Sequence, residues 1–150
     1  MGSPSANFRL ARSRAGLEPA DVARAVGLNK QSYHDLESHD DEVTGNISLG
    51  TLSAIARTLD TTVVELLDGP DAAGPTSRQS LSVLAGLART RIASGGLTVD
   101  AYSRRIGWDM APVVADPEHV WKYPFEMLHA LCDDLGLDWK DFIDGPRSPG

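Results

Sequence analysis

Residues Pro19 to Glu37 read PADVARAVGLNKQSYHDLE, and the rest of the chain is organised around them. Val22, Ala23 and Val26 recur at three- and four-residue spacing, which predicts a short helix with one apolar face. Ala23 is small, as a close helix crossing requires. Gly27 ends this helix, because a residue without a Cβ takes the left-handed conformation at little cost. Leu28 is directed to the core and Asn29 is placed to cap the next helix. Tyr33 and Leu36 give that second helix its buried side. Lys30, Gln31, Ser32, His34 and Asp35 are left outside. A helix, a tight turn and a second helix with a polar outer face make a helix-turn-helix layout. Such a face suits reading of base edges in the DNA major groove. For these positions alone an ordinary αα-hairpin is the alternative.

The sequences on either side extend the helical pattern. FRLARSRA, residues 8–15, predicts a first helix with Phe8, Leu10, Ala11 and Ala15 available to the core, and its three arginines make it the most basic local run. After the helix-turn-helix comes SHDDEVTGNIS, read as a polar loop. Ser48 then caps a helix in which Leu49, Leu52, Ile55, Ala56 and Leu59 recur at helical spacing. A last short helix, Thr62 to Leu67, contributes Val63, Leu66 and Leu67. The expectation is five short helices in the first unit.

With Arg12, Gly16-Leu17, Val22-Ala23, Val26-Gly27-Leu28, Leu36-Glu37 and the Leu52, Ile55-Ala56, Leu59, Leu66 pattern, residues 8–67 resemble the Cro/repressor-type helix-turn-helix proteins, often called the xenobiotic-response-element family. The resemblance implies an all-α, lambda-repressor-like fold. It also implies a structural ion pair between Arg12 and Glu37 that fixes the first helix against the third. Two positions depart from the family pattern. Glu18 and Pro19 stand where the second helix usually opens with Ser or Thr and Gln, and proline donates no hydrogen bond. The loop after the third helix carries Asp40, Asp41 and Glu42, which oppose a phosphate backbone and are read as pointing away or serving another partner.

Residues 69–80 read as a linker, rich in Gly, Pro and small polar residues. Beyond it the chain repeats itself. Gly16-Leu17 recurs as Gly96-Leu97, Arg24 as Arg104, and Val26-Gly27-Leu28 as Ile106-Gly107-Trp108, at an offset of 80. Leu52, Ala54, Leu59 and Asp68-Gly69-Pro70 recur as Leu128, Ala130, Leu135 and Asp144-Gly145-Pro146, at an offset of 76. Leu84, Leu87 and Ala88 supply the first helix of the second copy, over Leu81–Arg91. The organisation read from the chain is therefore two tandem five-helix units: 7–68 for DNA binding, the linker 69–80, and a degenerate copy at 81–145.

The second copy has lost the polar outer face. Asn29, Lys30, Gln31, Ser32 and His34 become Asp109, Met110, Ala111, Pro112 and Val114. Pro112 and Pro117 interrupt the would-be recognition helix, since proline lacks an N–H and disfavours helix in the residue before it. Trp108, Met110, Val114, Trp121 and Tyr123 instead concentrate large apolar groups there. They are read either as the core of a distorted copy or as a dimer or partner surface.

Composition narrows the function classes. Of 150 residues 41% are hydrophobic and 23% charged, a globular balance. No apolar run approaches the ~20 residues of a membrane span. The start lacks a signal-peptide pattern, and Cys132 stands alone, so no internal disulfide forms; a cytoplasmic location is expected. His34, His39, His119 and His129 are scattered without metal-ligand spacing, and no phosphate-cradling loop or nucleophile motif is present. Neither an enzyme, nor a metal, nor a cofactor is expected. The net charge of −7 opposes non-specific attraction to a polyanion.

The expected function is a sequence-specific DNA-binding transcriptional regulator that reads double-stranded DNA with the helix at 29–37. Gln31 suits adenine and Lys30 suits guanine or a phosphate, while Asn29, Ser32 and His34 add base-edge or backbone contacts. Asn46 and Ser48 are placed to donate to phosphate at the start of the next helix. A homodimer through the second domain would span half-sites about one DNA turn (~34 Å) apart; the tandem arrangement also allows a monomer on an asymmetric site. The competing class is a protein-interaction module that kept the fold without reading DNA and binds another regulator, a polymerase subunit or a toxin.

Overall fold

The computed structural model describes residues 3–69 and 83–143. Among them every regular element is helical. The chain divides into two compact units, with the division between Gly74 and Pro75. Most of the expected linker, together with Leu81, Pro70 and the repeated Asp144-Gly145-Pro146, lies outside the described residues.

The first unit contains α1 (Pro4–Ala15), α2 (Pro19–Val26), α3 (Lys30–Leu36), α4 (Asp40–Gly45), α5 (Leu49–Thr58) and α6 (Val63–Asp68). Helix α1 begins four residues before the predicted start. Ser3 accepts the backbone N–H of Ala6 at 3.1 Å, and Pro4 occupies the first helical position, where a missing N–H costs nothing. Gly16 and Gly27 close α1 and α2 in the left-handed conformation, with φ of 71° and 79°. Glu18 and Asp21 open α2 without the usual hydroxyl cap, the Glu18 N–H donating to the Asp21 carboxylate at 3.1 Å.

The expected loop at 38–48 is in part a helix. Helix α4 buries Val43, and its first residue, Asp40, accepts from the Ser5 N–H and hydroxyl. That carboxylate is therefore turned to α1. Phe8, Val22, Tyr33, Leu36, Leu49, Leu52, Ile55 and Leu66 form the core, each contributing about 1.5–3 kcal/mol on burial. Leu10, expected inside, is 44% exposed, because it lies about 200° around the helix from the buried Phe8. Helix α1 packs on α4 and α6, and α2 packs on α3 and α5. Asn7 adds a buried bond from Nδ2 to the Leu66 carbonyl at 3.1 Å.

The second unit contains α7 (Val83–Ser94), α8 (Val99–Ile106), α9 (Ala111–Ala115), a 3-10 helix (Pro117–Lys122), α10 (Phe125–Leu135) and α11 (Lys140–Ile143). Its core includes Leu84, Ala88, Tyr102, Met110, Val113, Met127, Leu128 and Leu131. Leu87 sits at the rim of the buried face of α7 and is exposed. Asp134 ties this unit together. It accepts from the Tyr102 hydroxyl at 3.0 Å and from Arg105 Nε at 2.5 Å, and lies 3.5 Å from Arg91 Nε. Burial alone would raise its pKa. The bonds from Arg105 and Tyr102 and the charges of Arg105 and Arg91 outweigh burial and hold the carboxyl below its usual value.

Candidate nucleic-acid interface

Helix α3 is short, so its neighbours position it. Tyr33 and Leu36 face inward and are fully buried, against α2 on one side and α4 on the other. That burial leaves Lys30, Gln31, Ser32 and His34 exposed. Asn29 is exposed at the N-terminus of the same helix. Five of the seven proposed DNA contacts thus share one helix and its cap. Asn46 and Ser48 are separate from them, in the turn between α4 and α5.

Several of these side chains already have partners. Asn29 Oδ1 accepts the Ser32 N–H at 2.7 Å, so its oxygen caps α3 and is not a free acceptor for DNA. Gln31 Nε2 donates to Asp35 Oδ1 at 3.0 Å, one helical turn on. His34 lies 3.3 Å from the Ser38 hydroxyl. Asn46 Nδ2 donates to Glu42 at 2.7 Å. Ser48 caps α5 by accepting the Thr51 N–H at 3.1 Å and donates its proton to the Thr51 hydroxyl. Its donor is thereby used within the fold. Lys30 has no hydrogen-bonding or ionic partner among the described residues, and its side chain is exposed.

The C-terminal end of α3 is gripped from α1. Arg12 makes a two-pronged ion pair with Glu37, Nε to Oε2 at 2.6 Å and Nη2 to Oε1 at 3.1 Å. Its third donor, Nη1, reaches the Leu17 carbonyl at 3.0 Å, so one guanidinium joins α1, the turn before α2 and the end of α3. Glu37, only 7% exposed, is the C-cap of α3. Its bond and its charge raise the pKa of Arg12, which stays cationic throughout the accessible range. Arg9 donates from Nη1 to the backbone carbonyl of Glu37. Arg9 is exposed, and its spacing of three from Arg12 on α1 brings both arginines to the same residue.

The charge around this surface is mixed. Residues 3–69 hold six Lys and Arg against ten Asp and Glu, a net −4. Arg24, near α3, pairs with Asp21 at 3.3 Å in an exposed contact of little energetic weight.

In the second unit, the five residues named as a partner surface divide. Met110 is fully buried and is not a surface residue: its N–H bonds to the Ser103 hydroxyl at 2.8 Å, which draws the chain inward at that point. Trp108, Val114, Trp121 and Tyr123 are half-buried. The Trp108 and Tyr123 rings lie 6.3 Å apart, His119 meets Tyr123 edge-on at 5.5 Å, and the Tyr123 hydroxyl donates to the Asp109 carbonyl. Burial, then the nearby Asp109 charge, raises the Tyr123 pKa. Asp116, exposed where the first copy buries Leu36, instead caps the 3-10 helix by accepting the Glu118 N–H at 3.2 Å.

Among the described residues no group of three or more His, Cys, Asp or Glu is placed to hold a metal ion, and no helix is long and apolar enough to cross a membrane. No curated protein and no solved structure matches the chain. The family comparison matches the first unit, from within α1 to just past α6: residues 10–71 match the family described as Cro/C1-type HTH DNA-binding domain.

Proposed function

We propose that the protein is a sequence-specific DNA-binding transcriptional regulator acting in the cytoplasm, and that α3 reads the major groove. The observation that carries this reading is the outer face of α3. Lys30, Gln31, Ser32 and His34 stand exposed on a helix whose other side is buried in the matched domain. Lys30 supplies the unpaired cation and Gln31 the amide, the side-chain types that read guanine and adenine edges. No catalytic role is assigned to any residue.

The second unit is read as a diverged copy that serves assembly. Its elements run 12, 8, 5, 6, 11 and 4 residues, against 12, 8, 7, 6, 10 and 6 in the first, which supports duplication. Its short α9 has an apolar sequence, APVVA, and offers no polar reading face. A homodimer through Trp108, Val114, Trp121 and Tyr123 would present two copies of α3 to half-sites ~34 Å apart. The second reading, a protein-interaction module, draws its support from the net −4 of residues 3–69 and from the engagement of Gln31 by Asp35.

The test is selection from a random-sequence duplex pool at low and physiological salt, with the wild type beside Lys30→Ala/Gln31→Ala. Enrichment of a common site that the double variant loses is the expected result. No enrichment at either salt concentration sinks DNA reading by this protein alone and favours the interaction module.

A further inference from the structure

Building on the DNA-reading proposal, we infer that Arg9 is a positioning residue for α3, setting the pitch at which the reading face is offered, and is not a contact to phosphate. Two arginines one helical turn apart on α1 end on the same residue, the C-cap of α3. Arg12 holds the Glu37 side chain and Arg9 holds its backbone carbonyl. The last carbonyls of a helix lack partners within it and carry its negative partial charge, so a guanidinium placed there both satisfies an acceptor and opposes the dipole. Helix α3 packs chiefly on α2 and α4. Its tie to α1 therefore runs largely through these side chains. The N-terminal end of α3 is fixed separately, by the Asn29 cap and the turn at Gly27. Release of Arg9 leaves that end in place and loosens the other, whose carbonyl loses its donor while Arg12 still holds the Glu37 side chain. The face carrying Lys30, Gln31 and His34 then tilts about the turn.

Position and phosphate contact make different demands on Arg9. A phosphate contact adds to the number of counterions released, and so to the steepness with which affinity falls with salt. A positioning residue acts on the base contacts, hence on the ratio of affinities for the selected and a scrambled site. The experiment compares wild type, Arg9→Met and Arg9→Lys on both sites over a salt series, well below each variant's unfolding temperature. Arg9→Met keeps the length of the side chain but removes donor and charge. We expect it to lower the affinity ratio about tenfold, the scale of one lost base contact, with the salt slope unchanged. Arg9→Lys, which can still donate to the Glu37 carbonyl, restores the ratio. A shallower slope by about one phosphate with the ratio intact overturns the inference. So does an unchanged ratio and slope.

Amide hydrogen exchange on the full chain without DNA separates this inference from the reading beneath it. If no selected site exists for the wild type, DNA reading fails on its own account. Positioning is then decided by exchange: faster exchange in α3 of Arg9→Met than of wild type, with α5 unchanged, supports it. Equal exchange in α3 overturns it.

Discussion

Asp40 and Ser5 join the start of α4 to the start of α1 through two bonds on one oxygen, from the Ser5 N–H at 2.9 Å and its hydroxyl at 2.8 Å. The Ser5 N–H belongs to the first turn of α1 and has no acceptor within the helix. The backbone bond first, and the hydroxyl bond next, hold the Asp40 carboxyl below its usual 3.8. The folded value lies below the unfolded one. The stabilisation is therefore complete above pH 3.8 and is lost as pH falls through the folded value.

Asp40→Ala is expected to lower the stability of the first unit by about 1 kcal/mol at neutral pH, the scale of a lost helix cap. Urea unfolding followed by circular dichroism at pH 7 and pH 2 checks this. The difference between wild type and variant shrinks at pH 2. An equal difference at both pH values contradicts the assignment.

Arg12→Met leaves the Glu37 carboxylate nearly buried without its partner. Removal of one member of a fully buried pair costs about 3–5 kcal/mol. The Arg12 side chain keeps 19% exposure, so about 2–3 kcal/mol is expected here. Arg12→Met/Glu37→Gln is expected to be less destabilised than the sum of its single changes. Additive losses in a double-mutant cycle would remove the pair from the account of how α1 holds α3.

The Tyr33 hydroxyl is buried, and among the described residues no partner meets hydrogen-bond geometry with it, although Glu37 and Arg12 act on it electrostatically. Tyr33→Phe removes an unsatisfied group and is expected to leave stability unchanged or to raise it by up to about 1 kcal/mol. Burial, then Glu37, raises the Tyr33 pKa above the usual 10.0, so the folded state favours the neutral phenol. That contribution is full below pH 10 and is lost as pH rises above it. Tyr33→Phe therefore flattens the alkaline decline of the first unit, measured by amide exchange at α3 and α5. A variant clearly less stable than wild type at pH 7 would show that the hydroxyl has a partner after all.

Asp134→Ala strips three side chains of one acceptor and is expected to destabilise the second unit by about 2–3 kcal/mol. Trp108, Trp121 and Trp139 all lie in that unit, so tryptophan fluorescence follows its unfolding. The fluorescence midpoint in urea moves down. A midpoint equal to that of wild type contradicts a holding role for Asp134.

The parts of the fold that rest on local chemistry were legible. The turn at Gly27, the apolar spacing of Val22, Ala23, Leu52, Ile55 and Ala56, and the caps at Asn29 and Ser48 each follow from a few adjacent residues. Helix α4 was not legible, because DDEVTG carries one apolar group and owes its packing to α1 and α3. Ser3-Pro4 did announce the earlier start of α1, by the usual cap and first-turn pattern. Leu10 was misplaced by counting apolar residues without their angle around the helix.

The proposed reading surface was legible as a face and not as a set of free groups. Lys30, Gln31, Ser32 and His34 follow from helical spacing opposite Tyr33 and Leu36. The engagement of Gln31 by Asp35 and of Asn46 by Glu42 depends on which rotamer each long side chain takes. Arg9 depends on contact between residues 28 apart, which periodicity does not encode.

Every long-range polar bond of α1 looks forward along the chain. Arg12 waits for Glu37, Ser5 for Asp40, and Asn7 for Leu66. During synthesis the first helix of this unit is thus among the last to find its partners, because Asn7 meets the Leu66 carbonyl only once α6 has left the ribosome. Until then Phe8 has no finished core to enter. A nascent chain halted before Leu66 carries all three arginines of α1 and the whole of α3 without a closed domain to hold them. For this unit, the bonds of α1 reach from Ser5 to Leu66, and no shorter N-terminal piece holds them all.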